Sequence, residues 1–260
     1  MKNSNPFSKS LFKIIRTLVR IFYGKSEILG LENIPKTDVV IVANHTQMNG
    51  PIVGELFMPK NCYIWCAGQM MHLKEVPSYA FADFWSQKPH WTHPFFKLLS
   101  YIIAPLASII FNNARTIAVY RDRRIVSTFK QSVNMLYEGK NLLIFPERDE
   151  KYNNIIYEFE ENFIDIARLY FKKTKRELTF VPMYIAPKLK KAYIGKGIKF
   201  NGKEDINTQH TKICEHLKNE ITEIARDLPL HTVVPYRNIP KKYHLSNKAV
   251  TEVPNEKTDS

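Results

Sequence analysis

The run Asp38-Val39-Val40-Ile41-Val42-Ala43 is short, β-branched and apolar at every position after the first. A strand with no polar face reads as a buried parallel strand, which commits the chain to a sheet covered by helices on both sides. The run ends in Asn44-His45-Thr46-Gln47-Met48-Asn49-Gly50-Pro51, and Pro51 to Phe57 follows with proline at a plausible first helical position. His45 therefore falls in a strand-to-helix turn, where open α/β sheets carry their chemistry, outside the carboxyl ends of the strands. Histidine is also the side chain best suited to take a proton near neutral pH. The same pattern fits a histidine that only caps the following helix.

Other segments repeat the strand-then-charge arrangement. Thr116-Ile117-Ala118-Val119-Tyr120 leads into Arg121-Asp122-Arg123-Arg124, and Asn141-Leu142-Leu143-Ile144-Phe145 leads into Pro146-Glu147-Arg148. Cys62 to Ala67 and Leu178 to Tyr184 read as two more strands, the second with an internal Pro182. Between the two charged turns, residues 125 to 138 carry apolar side chains at helical spacing and end at Gly139. Strand, helix and strand in that order imply a right-handed parallel crossover, which brings the arginines and Phe145-Pro146-Glu147 to one edge of the sheet or near it. Helices are also expected over 158 to 172 and from Asn207 or Thr208 to Leu228. The fold class is α/β, a mostly parallel central sheet flanked by helices.

In order and spacing, these blocks resemble the glycerolipid acyltransferases, the family that includes lysophosphatidate acyltransferase. The blocks are Asn44-His45 to Pro51, the strand ending in Arg121, Phe145-Pro146-Glu147, and the strand of Val181-Pro182, with the lead-in Gly30-Leu31-Glu32-Asn33-Ile34-Pro35 before them. The resemblance runs from about residue 30 to about residue 200. It implies a glycerol-3-phosphate acyltransferase-like fold and transfer of a fatty acyl group from acyl-CoA or acyl carrier protein to a hydroxyl of a lysophospholipid-type acceptor. His45 is then the general base, with Asn49 and Glu147 beside it. Arg121, with Arg123 or Arg148, would grip an acceptor phosphate, and Asn44 and Pro146 complete the substrate-binding set. No cofactor beyond the acyl donor and no metal is implied. Two positions depart from the family. Gly50 stands where its aspartate, which holds the second ring N–H of the histidine, would fall. Arg148-Asp149-Glu150 stands where Gly-Thr-Arg would follow Phe-Pro-Glu. Asn49, Glu55, Glu147 or Asp149 are candidates to replace the missing partner. If only the charge is missing, Gly50→Asp should preserve or raise turnover, provided the turn tolerates a side chain. The departures also fit a degenerate homologue that binds lipid or acyl donor without turning over.

A net charge of +13 over 260 residues points to an anionic partner. Composition cannot choose between a lipid surface, a phosphate-bearing substrate and nucleic acid, but no recognition helix or aromatic-basic ribbon supports the last. The partners expected are an anionic membrane surface, a lipid acceptor and an acyl donor. Residues 8 to 23 read as a basic amphipathic helix, an interfacial anchor or a helix docked on the domain. The longest apolar stretch, Leu98 to Phe111, is interrupted by Pro105 and short of the roughly 20 residues a bilayer span needs. No secretory cleavage signal is read, so attachment is expected at the surface. Three cysteines, with Cys62 and Cys66 in one apolar run, read as buried thiols and fit a reducing cytoplasm. His90 and His93 lack further ligands for a metal site. The aromatic section from Ser78 to Phe96 reads as loop-rich, lining a groove or filling core. The division expected is an amphipathic helix over 1–25, an α/β domain over 26–234 and a mobile tail over 235–260.

Overall fold

A strand that is apolar on both faces needs a neighbour on each side and a helical layer above and below. The computed structural model, which describes residues 5–148, 155–236 and 238–249, is built around that requirement. Its strands are β1 (Glu27–Leu29), β2 (Val39–Ala43), β3 (Cys62–Ala67), β4 (Thr116–Val119), β5 (Asn141–Ile144), β6 (Thr179–Ala186), β7 (Lys191–Ile194) and β8 (Ile198–Lys199). They form one sheet in the order β1-β7-β6-β2-β5-β3-β4, with β8 also paired to β6. β6, β2, β5, β3 and β4 all run parallel, while β7 and β8 are antiparallel to β6. The α/β fold class read from the sequence is the observed one.

The helices are α1 (Pro6–Tyr23), α2 (Asn49–Phe57), α3 (Val76–Ala80), α4 (His93–Asn113), α5 (Ile125–Tyr137), α6 (Asp165–Thr174) and α7 (Ile206–Asp227). Alternation along β2 and β5 splits the core in two. Val40, Val42, Leu142 and Ile144 face Leu136 of α5, Ile166 and Tyr170 of α6, and Ile213 and Leu217 of α7. Val39, Ile41, Ala43 and Leu143 face the other way, toward Val53 of α2 and Met58. All five residues of β2 are buried, so a one-residue slip would exchange the two sets and is strongly disfavoured.

Three expectations are corrected. The aromatic section is mostly helical: α3 runs into a π-helical turn at Phe81–Trp85, and a short 3₁₀ turn at His90–Thr92 opens α4. Pro105 does not interrupt α4, so the helical stretch His90–Asn113 is long and apolar enough to cross a membrane. Ala104 and Ala107 pack it against Met70, Val76 and Ala80, while Trp91, Phe95, Leu98, Tyr101 and Ile102 face outward. The stretch from residue 235, expected to be a mobile tail, is tied to the domain at several of its described residues. Residues 231–233 and 245–247 pair across the Thr232–Ser246 bridge, and Asn247 is buried. Residues 250–260 of that expected tail lie outside the described residues. All three cysteines are thiols.

Candidate functional site

Because β2, β3, β4, β5 and β6 run parallel, their carboxyl ends meet at one edge, and the charged turns after β2, β4 and β5 meet there with them. Register explains who faces whom. Ala43 pairs with Met183, so the next residues of β6, Tyr184 and Ile185, lie alongside Asn44 and His45.

The His45 turn is tight. Thr46 and Gln47 both take left-handed backbone, with φ 47° and 54°. That sharp reversal brings the Asn49 N–H and its side-chain amide onto the Thr46 carbonyl, at 3.1 and 2.9 Å. It also folds Gly50 under the histidine: a Cβ there would lie 2.6 Å from the His45 carbonyl oxygen and 2.8 Å from the Phe145 ring. Glycine at this position is a steric requirement of the turn. The condition set on Gly50→Asp, a turn that tolerates a side chain, is therefore not met by this packing.

Asn44 is not free to bind substrate as expected. Its amide accepts from the Ile185 N–H at 2.7 Å and donates to the Ile185 carbonyl at 3.0 Å, continuing the β2–β6 ladder by one side chain. Asn49 also turns to structure: its carbonyl accepts the Tyr23 hydroxyl at 3.2 Å, tying the end of α1 to the turn. Pro146 is buried and its carbonyl accepts the Glu160 N–H.

Glu147 is at the heart of the site. Its carboxylate accepts the main-chain N–H of His45, and burial nevertheless pushes it from the ordinary 4.5 up to about 8. The shift favours the neutral carboxyl well above the pH at which an ordinary glutamate ionises. Its influence reaches Tyr184, whose hydroxyl is pushed up first by burial and then by Glu147. Tyr184 donates to His231 Nε2 at 2.8 Å, because His231 Nδ1–H is committed to the Pro229 carbonyl at 2.7 Å.

The arginines separate. Arg148 pairs with Glu158 at 2.8 Å and approaches Glu160 at 3.9 Å, so its charge is spent on the strand partner of its own turn. The expected role toward substrate would require it to leave these exposed partners. Arg124 is held by Asp122 and Glu75 and covers the Tyr120 ring at 4.0 Å. Arg121 and Arg123 are exposed and make no ion pair among the described residues. Arg121 acts electrostatically on Tyr79 of α3, as does Tyr236.

Tyr236 is the residue that the sequence did not announce. Its ring stands edge-on to His45 with centroids 4.4 Å apart, and Phe145 contacts the imidazole likewise at 5.6 Å. Nothing in a proline-bearing, aperiodic stretch signals such a reach. Tyr184 was readable in principle, because it follows Pro182 in a strand parallel to β2. His90 contacts His93, which also contacts Phe81, and among the described residues no group of three or more metal-ligating side chains occurs.

No family model matches this chain, and no curated protein matches it. Among solved structures it is similar to the 1-acyl-sn-glycerophosphate (LPA) acyltransferase PlsC from Thermotoga maritima. The two are 13% identical over 88% of this chain and 86% of that one, with a TM-score of 0.48.

Proposed function

We propose that this protein is an acyltransferase that moves a fatty acyl group from a thioester, acyl-CoA or acyl carrier protein, to a hydroxyl of a lysophospholipid-type acceptor. The observation that supports the reading is that the turns carrying His45, Glu147 and Arg121 follow strands of one parallel sheet at its carboxyl edge, with Glu147 bonded to the His45 main chain, each in the block that the sequence resemblance assigns to it. In this reading His45 takes the acceptor hydroxyl proton as the oxygen attacks the thioester carbonyl. The thiolate then leaves, and no covalent enzyme intermediate is needed. Such general-base assistance is typically worth roughly 10²–10⁴-fold. Glu147 anchors the His45 main chain and, in the neutral form that burial favours, has an O–H to offer an acceptor oxygen. Arg121, without an ion pair among the described residues, suits a phosphate oxygen pair through its planar fork.

The acceptor is a lipid, so the protein works at a membrane surface, peripherally and on the cytoplasmic side. Support comes from the exposed apolar side chains of α1 and α4 together with the basic residues of α1.

A second reading, a homologue that binds lipid or acyl donor without turnover, draws on the Arg148–Glu158 pair and on the packing that excludes a side chain at Gly50. One experiment separates them. Thiol release from acyl-CoA is followed across a panel of lysophospholipid and non-phosphorylated acceptors, with His45→Ala as control. Acceptor-dependent release that disappears in the variant supports the enzyme. Acyl-CoA binding without acceptor-dependent release supports the binding homologue.

A further inference from the structure

The loop that carries Tyr236 is closed at its neck and latched at its tip. At the neck, Val233 N–H donates to Leu245 O and Asn247 N–H to His231 O. The Asn247 side chain accepts the His231 N–H at 2.9 Å and donates to Ala225 O at 2.8 Å, fixing the loop to the end of α7. At the tip, the Asn238 amide reaches the Phe84 carbonyl at 3.3 Å in the π-helical turn after α3. The loop therefore spans from the β6 side of the sheet edge to the α3 side and passes over His45 on the way.

Histidine χ2 is a broad, two-fold torsion, so an imidazole in a turn swings unless its neighbours hold it. Ring separations of 4.5–7 Å are the usual range for aromatic contacts, and the Tyr236–His45 distance of 4.4 Å lies at its short limit. The two planes meet at 76°, and the Phe145 plane meets that of His45 at 69°. Two rings packed edge-on against the imidazole narrow the rotation open to it. We infer that Tyr236 is a positioning residue: with Phe145 it clamps the His45 imidazole in the orientation that proton transfer needs.

This inference rests on the proposed role of His45, and its test has an arm that does not. In histidine-selective NMR, the ring protons of His45, assigned by their loss in His45→Ala, feel the ring current of Tyr236. They should shift in Tyr236→Ala and stay near their wild-type positions in Tyr236→Phe. Unchanged His45 resonances in Tyr236→Ala overturn the clamp whatever the protein catalyses. In the kinetic arm, Tyr236→Ala should lower kcat by about tenfold or more, because a misplacement on the order of 1 Å can cost 10²-fold. KM should move by less than about threefold, and Tyr236→Phe should recover most of the lost rate. A kcat loss equal in both variants assigns the role to the hydroxyl and overturns positioning by the ring. A change confined to KM makes Tyr236 a wall of the substrate site and overturns it too. Asn247 holds the neck, so the fold should survive, and Tyr236→Leu is the second variant should Tyr236→Ala not. If the wild type shows no acyl transfer, the proposed function fails while the NMR arm still decides the clamp.

Discussion

The carbonyl oxygen of His45 lies 2.6 Å from the point where a Cβ on Gly50 would stand, so the two residues share a space that admits no side chain. The Phe145 ring closes the other side. Inserting one methyl group into such packing typically costs about 1–3 kcal/mol. Gly50→Ala should therefore lower Tm and acyl transfer together, and Gly50→Asp should lower both further. Thermal unfolding read beside thiol release checks this. Higher turnover in Gly50→Asp at an unchanged Tm would mean that the turn opens more readily than its packing implies.

His45→Ala removes the proposed base while leaving the turn intact, because the turn is held by Asn44, Asn49 and the main chain. Acyl transfer should fall by roughly 10²–10⁴-fold with little change in Tm. Wild-type rates in this variant, on the best acceptor, would remove His45 from the chemistry.

Glu147 gives a pH signature of defined sign. Burial raises its carboxyl in the fold to about 8 against 4.5 when unfolded, so between those values the folded protein holds a proton that the unfolded chain has released. Stability from this group falls as pH rises through that window and levels off above it. Glu147→Gln cannot ionise, so its Tm should decline less than that of wild type between pH 5 and about pH 8. Parallel Tm curves for the two proteins would show that the carboxyl ionises freely in the fold.

Arg121 and Arg148 are told apart by their partners. Arg148 faces Glu158, whereas Arg121 makes no ion pair among the described residues. Losing a charge-assisted bidentate contact costs on the order of 1.5–3 kcal/mol. Arg121→Lys should raise KM for a phosphorylated acceptor about tenfold and leave KM for the acyl donor nearly unmoved, while Arg148→Lys leaves both within about twofold. Equal effects of the two variants on both substrates would mean that Arg121 only supports its loop.

The sheet was readable from the sequence because its strands are apolar on both faces and end in charge or a tight turn, as β2, β4 and β5 do. β1 was not, since three residues with no buried side chain carry no pattern. The turn residues carried two meanings. Asn44 and Asn49 are polar groups beside a histidine, which reads as chemistry, yet both complete the hydrogen bonding of main chain and neighbouring strand. Arg148 looked available because Glu158 is ten residues away, and only the antiparallel bridge between Glu147 and Phe159 brings it close. Tyr236 was hidden for the opposite reason. Loops reach by their anchors, and here the anchor is Asn247, eleven residues beyond. Pro105 reads as a helix breaker in sequence, yet α4 runs through it, because packing at Ala104 and Ala107 offsets one lost hydrogen bond.

Membrane binding should depend on the outward face of α1 together with α4. On α1, Phe22 is 85% exposed and Ile21 67%, and Phe7, Ile14 and Leu18 are exposed with them. Lys9, Lys13 and Arg20 add positive charge, whereas Arg16 is turned inward onto Glu55 at 3.0 Å. Deleting residues 1–25 would also remove the Tyr23–Asn49 and Arg16–Glu55 bonds, so it would confuse membrane binding with damage to the His45 turn. Point variants avoid this. Burying a large apolar side chain contributes about 1.5–3 kcal/mol, so Phe22→Ser should weaken binding to anionic vesicles about tenfold or more, and Phe22→Ser with Ile21→Ser further. Trp91→Ser and Phe95→Ser test α4 in the same way, for their side chains are 84% and 64% exposed. Added salt should weaken binding for wild type and variants alike, because the lysines and arginines act through a screened field. Co-sedimentation with vesicles of anionic and of neutral lipid reads all of these. Wild-type affinity in the α1 variants but loss in the α4 variants would make α4 the main contact. Full affinity in every variant would move the contact to a surface that neither helix supplies.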